Sequence, residues 1–195
     1  AIWLNPVNGA WQYGSNWSTE SPPGPIDSAL FNATGVYSVL LQDNAAAGSV
    51  TTAAGMLTLD LNGFALALGG ASADSLVVRN SGAPRTILEI ADGVLQTGGA
   101  RVGVLAGGGA TTTALLMIDS DAAWTFGGPL FVGDFGAVGV VQVNGGDVVQ
   151  SGPATVRAGS AIEMYGGSWT LHALTANSKL RLEQGASMTT TTAAL

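Results

Sequence analysis

One short unit recurs along this chain and constrains its fold more than any other feature. An apolar residue, a variable residue and a second apolar residue lead into a turn. The unit reads Leu59-Asp60-Leu61-Asn62-Gly63, Leu88-Glu89-Ile90-Ala91-Asp92-Gly93, Leu116-Met117-Ile118-Asp119 and Val141-Gln142-Val143-Asn144-Gly145-Gly146. Two more copies follow, Ile162-Glu163-Met164-Tyr165-Gly166-Gly167 and Leu180-Arg181-Leu182-Glu183-Gln184-Gly185. Period-two alternation closed by Asn-Gly, Asp-Gly or Gly-Gly is the pattern of a strand that ends in a tight turn. Further strand candidates flank these units, such as Trp124/Phe126 and Trp169/Leu171 after the turns, and Leu130-Phe131-Val132 and Ala154-Thr155-Val156 before them. Each repeat therefore carries about three short strands.

The units start at Leu59, Leu88, Leu116, Val141, Ile162 and Leu180, and the interval between starts shrinks at every step. Self-similarity at a period of roughly 20–30 residues marks a solenoid, in which each repeat is one coil stacked on the next. The shrinking interval predicts a coil that tapers from a wide N-terminal end. A β-sandwich or jelly roll is the competing all-β reading, but it does not require similar units in succession with aligned glycine corners. Residues 168–184 lack Gly and Pro and also fit a helix with Leu171, Leu174 and Leu182 on one face, although their end coincides with the sixth unit. The expected fold is all-β: a parallel β-solenoid of about six short coils.

Composition limits what such a coil does. Six Lys and Arg against 13 Asp and Glu give a net charge of -7, which argues against nucleic acid and anionic lipid as partners. No Cys is present, which excludes a disulfide framework, a thiolate metal site and a Cys nucleophile. Hydrophobic residues make up 47% of the chain, yet no apolar run approaches the ~18 residues of a spanning helix. Charged residues are only 10%, against the roughly 25% of ordinary domains.

The residues between core positions face outward in a strand, so stacking predicts a column of Asp60, Glu89, Met117, Gln142, Glu163 and Arg181. Within it, Glu163 and Arg181 would pair, and Asp60 beside Glu89 would form a like-charge pair of the kind that binds a cation or serves a glycosidase. Asp119, Asp121 and Asp134 offer oxygen ligands for Ca²⁺, but the Gly and distal Glu of a calcium loop are missing. His172 is the only histidine, and no Gly-x-Ser-x-Gly elbow accompanies it. The expectation is therefore no catalytic residue, no cofactor and no metal.

Residues 1–35 differ from the rest. They hold Trp3, Trp11 and Trp17, four of the seven prolines and no repeat unit, and read as a cap over the first coil, with Trp11, Tyr13 and Trp17 in its core. Residues 36–188 form the repeat domain. Residues 189–195 carry no charge and read as a strand that pairs with something.

Gly9-Ala10-Trp11-Gln12-Tyr13-Gly14-Ser15-Asn16-Trp17-Ser18, followed by Pro25-Ile26-Asp27-Ser28-Ala29-Leu30-Phe31, resembles the N-terminal pattern of autotransporter-passenger-like, bacterial secreted β-strand-repeat proteins. The match covers residues 9–31, and residues 55–188 follow the repeat style of those proteins loosely. The resemblance implies secretion, a right-handed parallel β-solenoid, and a surface, adhesive or structural role without catalytic residues. The chain departs from that pattern in having no C-terminal barrel. Ala1 in place of Met reads as a mature N-terminus after signal removal.

A solenoid end leaves backbone groups unpaired, and a head-to-tail contact that does not close makes a fibre. The expected function is a secreted, non-enzymatic structural subunit of an extracellular or cell-surface filament. Its partner would be itself, with Trp3, Trp11, Trp17, Met188, Thr190, Thr192 and Leu195 at the assembly interface. A carbohydrate-binding or polysaccharide-degrading β-helix, with surface polysaccharide as the partner, and an adhesin fragment are the alternatives.

Overall fold

The computed structural model describes residues 1–4, 6–69, 72–80, 85–105, 113–134 and 136–191. Among the described residues the chain winds through seven coils of three strands each, one more than the six repeat units predict. The first coil is Ser28–Phe31, Val36–Leu40 and Ala45–Ala47, and the seventh is Ala173–Ala176, Lys179–Leu182 and Ser187–Thr190. Each strand pairs in parallel with its counterparts in the neighbouring coils, which builds three parallel sheets of seven, eight and seven strands. The extra strand of the second sheet, Gly9–Ala10, belongs to the cap. The helical alternative for residues 168–184 gives way to strands in all three sheets, because each segment there has a strand below it to pair with. Among the described residues the only helical turn is Gly14–Asn16.

Parallel pairing in register turns each sequence position into a column. In the second sheet Tyr37, Leu57, Leu88, Leu116, Val141, Ile162 and Leu180 stand over one another. The first six are buried. The column for the third sheet runs Leu66, Leu95, Trp124, Val148, Trp169 and Met188. Inward residues alternate with outward ones in many of the strands, for example along Val138–Asn144, so the core is a narrow stack of aliphatic and aromatic layers.

This register corrects two expectations. Leu57, and not Leu59, stands opposite Leu88, so the first matched unit starts two residues earlier. The step along the column is short from Tyr37 to Leu57 and longest from Leu57 to Leu88, then shrinks at every coil to Leu180. The solenoid is widest after a short first coil and does not taper from its N-terminal end. The reason is that Met56 to Leu61 alternates throughout, and a slip of two residues keeps every side chain on its own face.

The corners explain the turn residues. Asn62 and Gly63 have φ of 51° and 78°, and Asp92 and Gly93 have 44° and 142°, the left-handed backbone that Asn-Gly and Asp-Gly pairs accept most readily. The corners also stack: the Gly63 N–H donates to the Asp92 carbonyl at 2.8 Å. At Gly167, with φ of 74°, an added Cβ would overlap the carbonyl oxygen of Gly146 one coil below, whereas at Gly63 it would meet nothing within 4 Å.

The cap fills the outer mouth of the first coil. Trp3, Trp11 and Trp17 are at most 2% exposed and surround Phe31. Trp17 packs edge-on against both other tryptophans, at 5.1 and 4.9 Å, and its Nε1–H donates to the Trp11 carbonyl at 2.7 Å. Gly9–Ala10 pairs with the second sheet, Ile2 bridges to Leu30 in the first, and Pro22 to Pro25 lie beside the edge of the third near Ala45. Proline has no N–H and cannot extend a ladder, so this end of the solenoid is closed. Repeat structure begins at Ser28, within residues 1–35, where Ser28–Phe31 pairs with Ser49–Thr52.

The contrast between the two glycine corners is measurable. Gly167→Ala costs about 2–4 kcal/mol, from left-handed backbone and overpacking together, while Gly63→Ala costs only the backbone share of about 1 kcal/mol; denaturant titration of both variants checks the difference. Tyr37 gives a second prediction, because its hydroxyl is buried without a partner and its pKa is pushed up to about 12 by burial. A folded-state pKa above the unfolded 10.0 makes its contribution to stability full below pH 10 and lost as the pH rises towards 12. Tyr37→Phe retains stability at neutral pH and removes that alkaline loss, read by melting curves across the range.

Candidate functional site

The two ends of the solenoid differ. In the seventh coil the inward columns continue with Leu180 over Ile162, Leu182 over Met164 and Met188 over Trp169. Their partners one coil below are at most 1% exposed, yet Leu180 is 42% and Leu182 48% exposed. Nothing among the described residues lies beyond this coil, and its three strands are the terminal strands of all three sheets. The open coil thus presents unroofed core side chains together with three strand edges, the combination that recruits further β structure.

A polar ladder ties this coil to the sixth. Lys179 Nζ donates to Glu163 Oε1 at 2.7 Å and the Tyr165 hydroxyl to Glu163 Oε2 at 3.0 Å. Arg181 donates to the Tyr165 hydroxyl at 3.2 Å, lies 5.1 Å from the centre of its ring and pairs with Glu183. Glu163 and Arg181 are neighbours in register as expected, but the carboxylate is taken by Lys179. The Lys179 hydrogen bond holds the Glu163 carboxyl below its usual range against partial burial, and Tyr165 and the two cations add to it. The same carboxylate raises the Tyr165 phenol.

The residues expected at an assembly interface separate into three groups. Met188 and Thr190 lie on the open coil, Thr190 in register with Leu171. Thr192 and Leu195 lie outside the described residues. Trp3, Trp11 and Trp17 are buried within the cap, so they build the closed end and present no contact surface. Their burial follows from Phe31 inside the first coil, since four large rings fill its mouth. Tyr13, expected beside them, is 57% exposed instead.

The acidic candidates also scatter. Asp60 stands opposite Leu40 and Ala91, and Glu89 opposite Thr58, whose hydroxyl donates to it at 2.6 Å. The like-charge pair therefore does not form side by side, for the same two-residue reason as above. Asp134 does not join Asp119 and Asp121. It is 1% exposed, accepts from Arg101 and forms an ion pair with Arg157 at 3.3 Å. Arg101 also reaches Asp74 at 2.7 Å and stacks on Phe131. These four charged residues come from four successive coils and clamp them together, and losing a buried partner from such a network costs about 3–5 kcal/mol. No group of three potential metal ligands occurs among the described residues. His172 is exposed beyond Leu171. No helix among the described residues is long and apolar enough to cross a membrane.

Compared with known protein families, curated proteins and solved structures, the chain matches none.

The ladder sets a pH dependence for the open coil. A carboxylate held below its ordinary pKa contributes stability above that value and loses it as the pH falls through the folded one. Amide protection factors across Lys179–Leu182 therefore drop on acidification through the carboxylate range. Glu163→Gln lowers protection at neutral pH and flattens the acid step.

Proposed function

We propose that the protein is a secreted, non-enzymatic structural subunit that stacks head to tail into an extracellular or cell-surface filament. The observation that carries this reading is the open seventh coil, whose core columns and strand edges end unroofed while the opposite end is closed. A second copy, set with its capped end on the open coil, covers that surface and presents a new open coil in turn. A contact of this kind never closes, so it propagates.

Charge supports the same polarity. No Lys or Arg precedes Arg79, whereas Glu20, Asp27, Asp43, Asp60 and Asp74 all do. The last two coils carry Arg157, Lys179 and Arg181 against Glu163 and Glu183, besides His172. Stacking head to tail brings an acid-only end against the most basic part of the chain, whereas head-to-head contact sets like charge on like charge. The capped end also carries exposed apolar residues, Leu4, Val7 and Ile26, to set against Leu180 and Leu182. Location outside the cell rests on the resemblance of residues 9–31 to secreted β-repeat proteins, and on a low charge that suits a surface covered by its own copies.

Sedimentation velocity and negative-stain microscopy at rising concentration test the proposal. Expected are rods one solenoid wide whose length grows with concentration and shrinks with added salt. Leu182→Glu stops growth, and Lys179→Glu with Arg181→Glu slows it until Glu20→Lys and Asp27→Lys in the partner restore it. A monomer at every concentration, or a dimer that stops at two copies through paired open ends, would overturn head-to-tail assembly.

A further inference from the structure

A second surface lies on the flank of the capped end. A groove of about 440 Å³ runs along the second sheet, lined by Asn8, Tyr13, Ser38, Leu40, Gln42 and Asp60, within the size range of small-ligand sites. Tyr13 is the aromatic side chain that the cap leaves out. It is more than half exposed, while Trp11 and Trp17 on either side of it in sequence are buried. Around it stand polar groups with capacity to spare. Asn8 uses its carbonyl oxygen to accept from the Ser38 N–H at 2.8 Å, which leaves its NH₂ free to donate. Asp60 accepts from the Asn62 N–H through Oδ1 alone. The Ser38 hydroxyl and the Gln42 side-chain amide have no hydrogen-bond partner among the described residues.

We propose that this groove binds a neutral pyranose glycan. The C–H face of a sugar ring packs on the Tyr13 ring, whose amphipathic character suits a surface that is apolar on its faces and polar at its rim. The equatorial hydroxyls donate to the free Asp60 oxygen, a charge-assisted contact, and exchange hydrogen bonds with the Asn8 and Gln42 amides and the Ser38 hydroxyl. Alternating donors and acceptors beside one aromatic ring match a polyhydroxylated ring better than a peptide, which would need either a strand edge or a deep apolar pocket. Asp60, and the absence of any Lys or Arg before Arg79, turn away uronic-acid and sulfated sugars. The site is complete within one copy, with Asn8 and Tyr13 from the cap and Ser38, Gln42 and Asp60 from the second sheet and its corners, so the proposal does not depend on assembly.

Saturation-transfer NMR with cellohexaose, chitohexaose and maltohexaose, and with hexagalacturonate as an acidic comparison, tests the site. The expected result is transfer to at least one neutral hexaose and none to the acidic one. Tyr13→Ala weakens that binding by about tenfold or more, Tyr13→Phe keeps most of it because the ring remains, and Asp60→Asn weakens it with the melting temperature unchanged. Silence from all three neutral sugars at concentrations on the order of millimolar would overturn the proposal. So would binding that survives Tyr13→Ala, or equal binding of the acidic oligomer.

Discussion

Everything in this molecule depends on the parallel backbone ladder that sets each coil directly on the one before it. Neighbouring strands in such a ladder lie about 4.8 Å apart, so a side chain meets the residue at its own position one coil away. The aliphatic columns of the second sheet, the Trp124 and Trp169 layers of the third and the glycine corners are all consequences of that spacing. Where Gly167 crosses Gly146, the backbones come so close that no Cβ fits between them. Where Arg101 reaches Asp74 on one side and Asp134 on the other, the same spacing lets one guanidinium bridge three coils, and Arg157 carries the chain of charges into a fourth.

A ladder has two ends, and the chain treats them differently. Four aromatic rings, a two-residue strand and a proline-rich segment close the first end. Closing it requires ordering the whole stretch before Ser28, which makes no coil. Among the described residues no such segment covers the seventh coil, and Leu180 and Leu182, inside by pattern, stand half exposed. The ladder of Glu163, Lys179, Tyr165, Arg181 and Glu183 holds that coil down by its outer face. Electrostatics therefore anchors the one coil whose hydrophobic burial is incomplete.

Several of these features were legible in the residues. Alternation with glycine-closed turns at intervals near 20–30 residues leaves little room for anything but stacked short strands, and the aromatic cluster ahead of the repeats reads as a lid. Register is legible only modulo two, and for that reason the pattern sets Asp60 beside Glu89, whereas it faces Ala91. Asp134 looked like a calcium ligand because a sequence shows a carboxylate but not the two arginines that fold against it. Tyr13 looked like cap core because it sits between Trp11 and Trp17. What separates them is a pair of turns: the Tyr13 N–H bonds back to the Ala10 carbonyl at 3.3 Å, between Trp11 and Tyr13, and the helical turn Gly14–Asn16 lies between Tyr13 and Trp17.

By itself, the sequence determined the class of fold, the strand-by-strand alternation of inside and outside, and the sites of the corners, because these depend on side-chain period and on which residues tolerate left-handed backbone. Tertiary structure decided which position stacks on which, which end is closed, and which polar groups are left with capacity to bind something else. Those outcomes depend on contacts between residues some 20–30 positions apart, and no local pattern encodes the partner at the other end of such a contact.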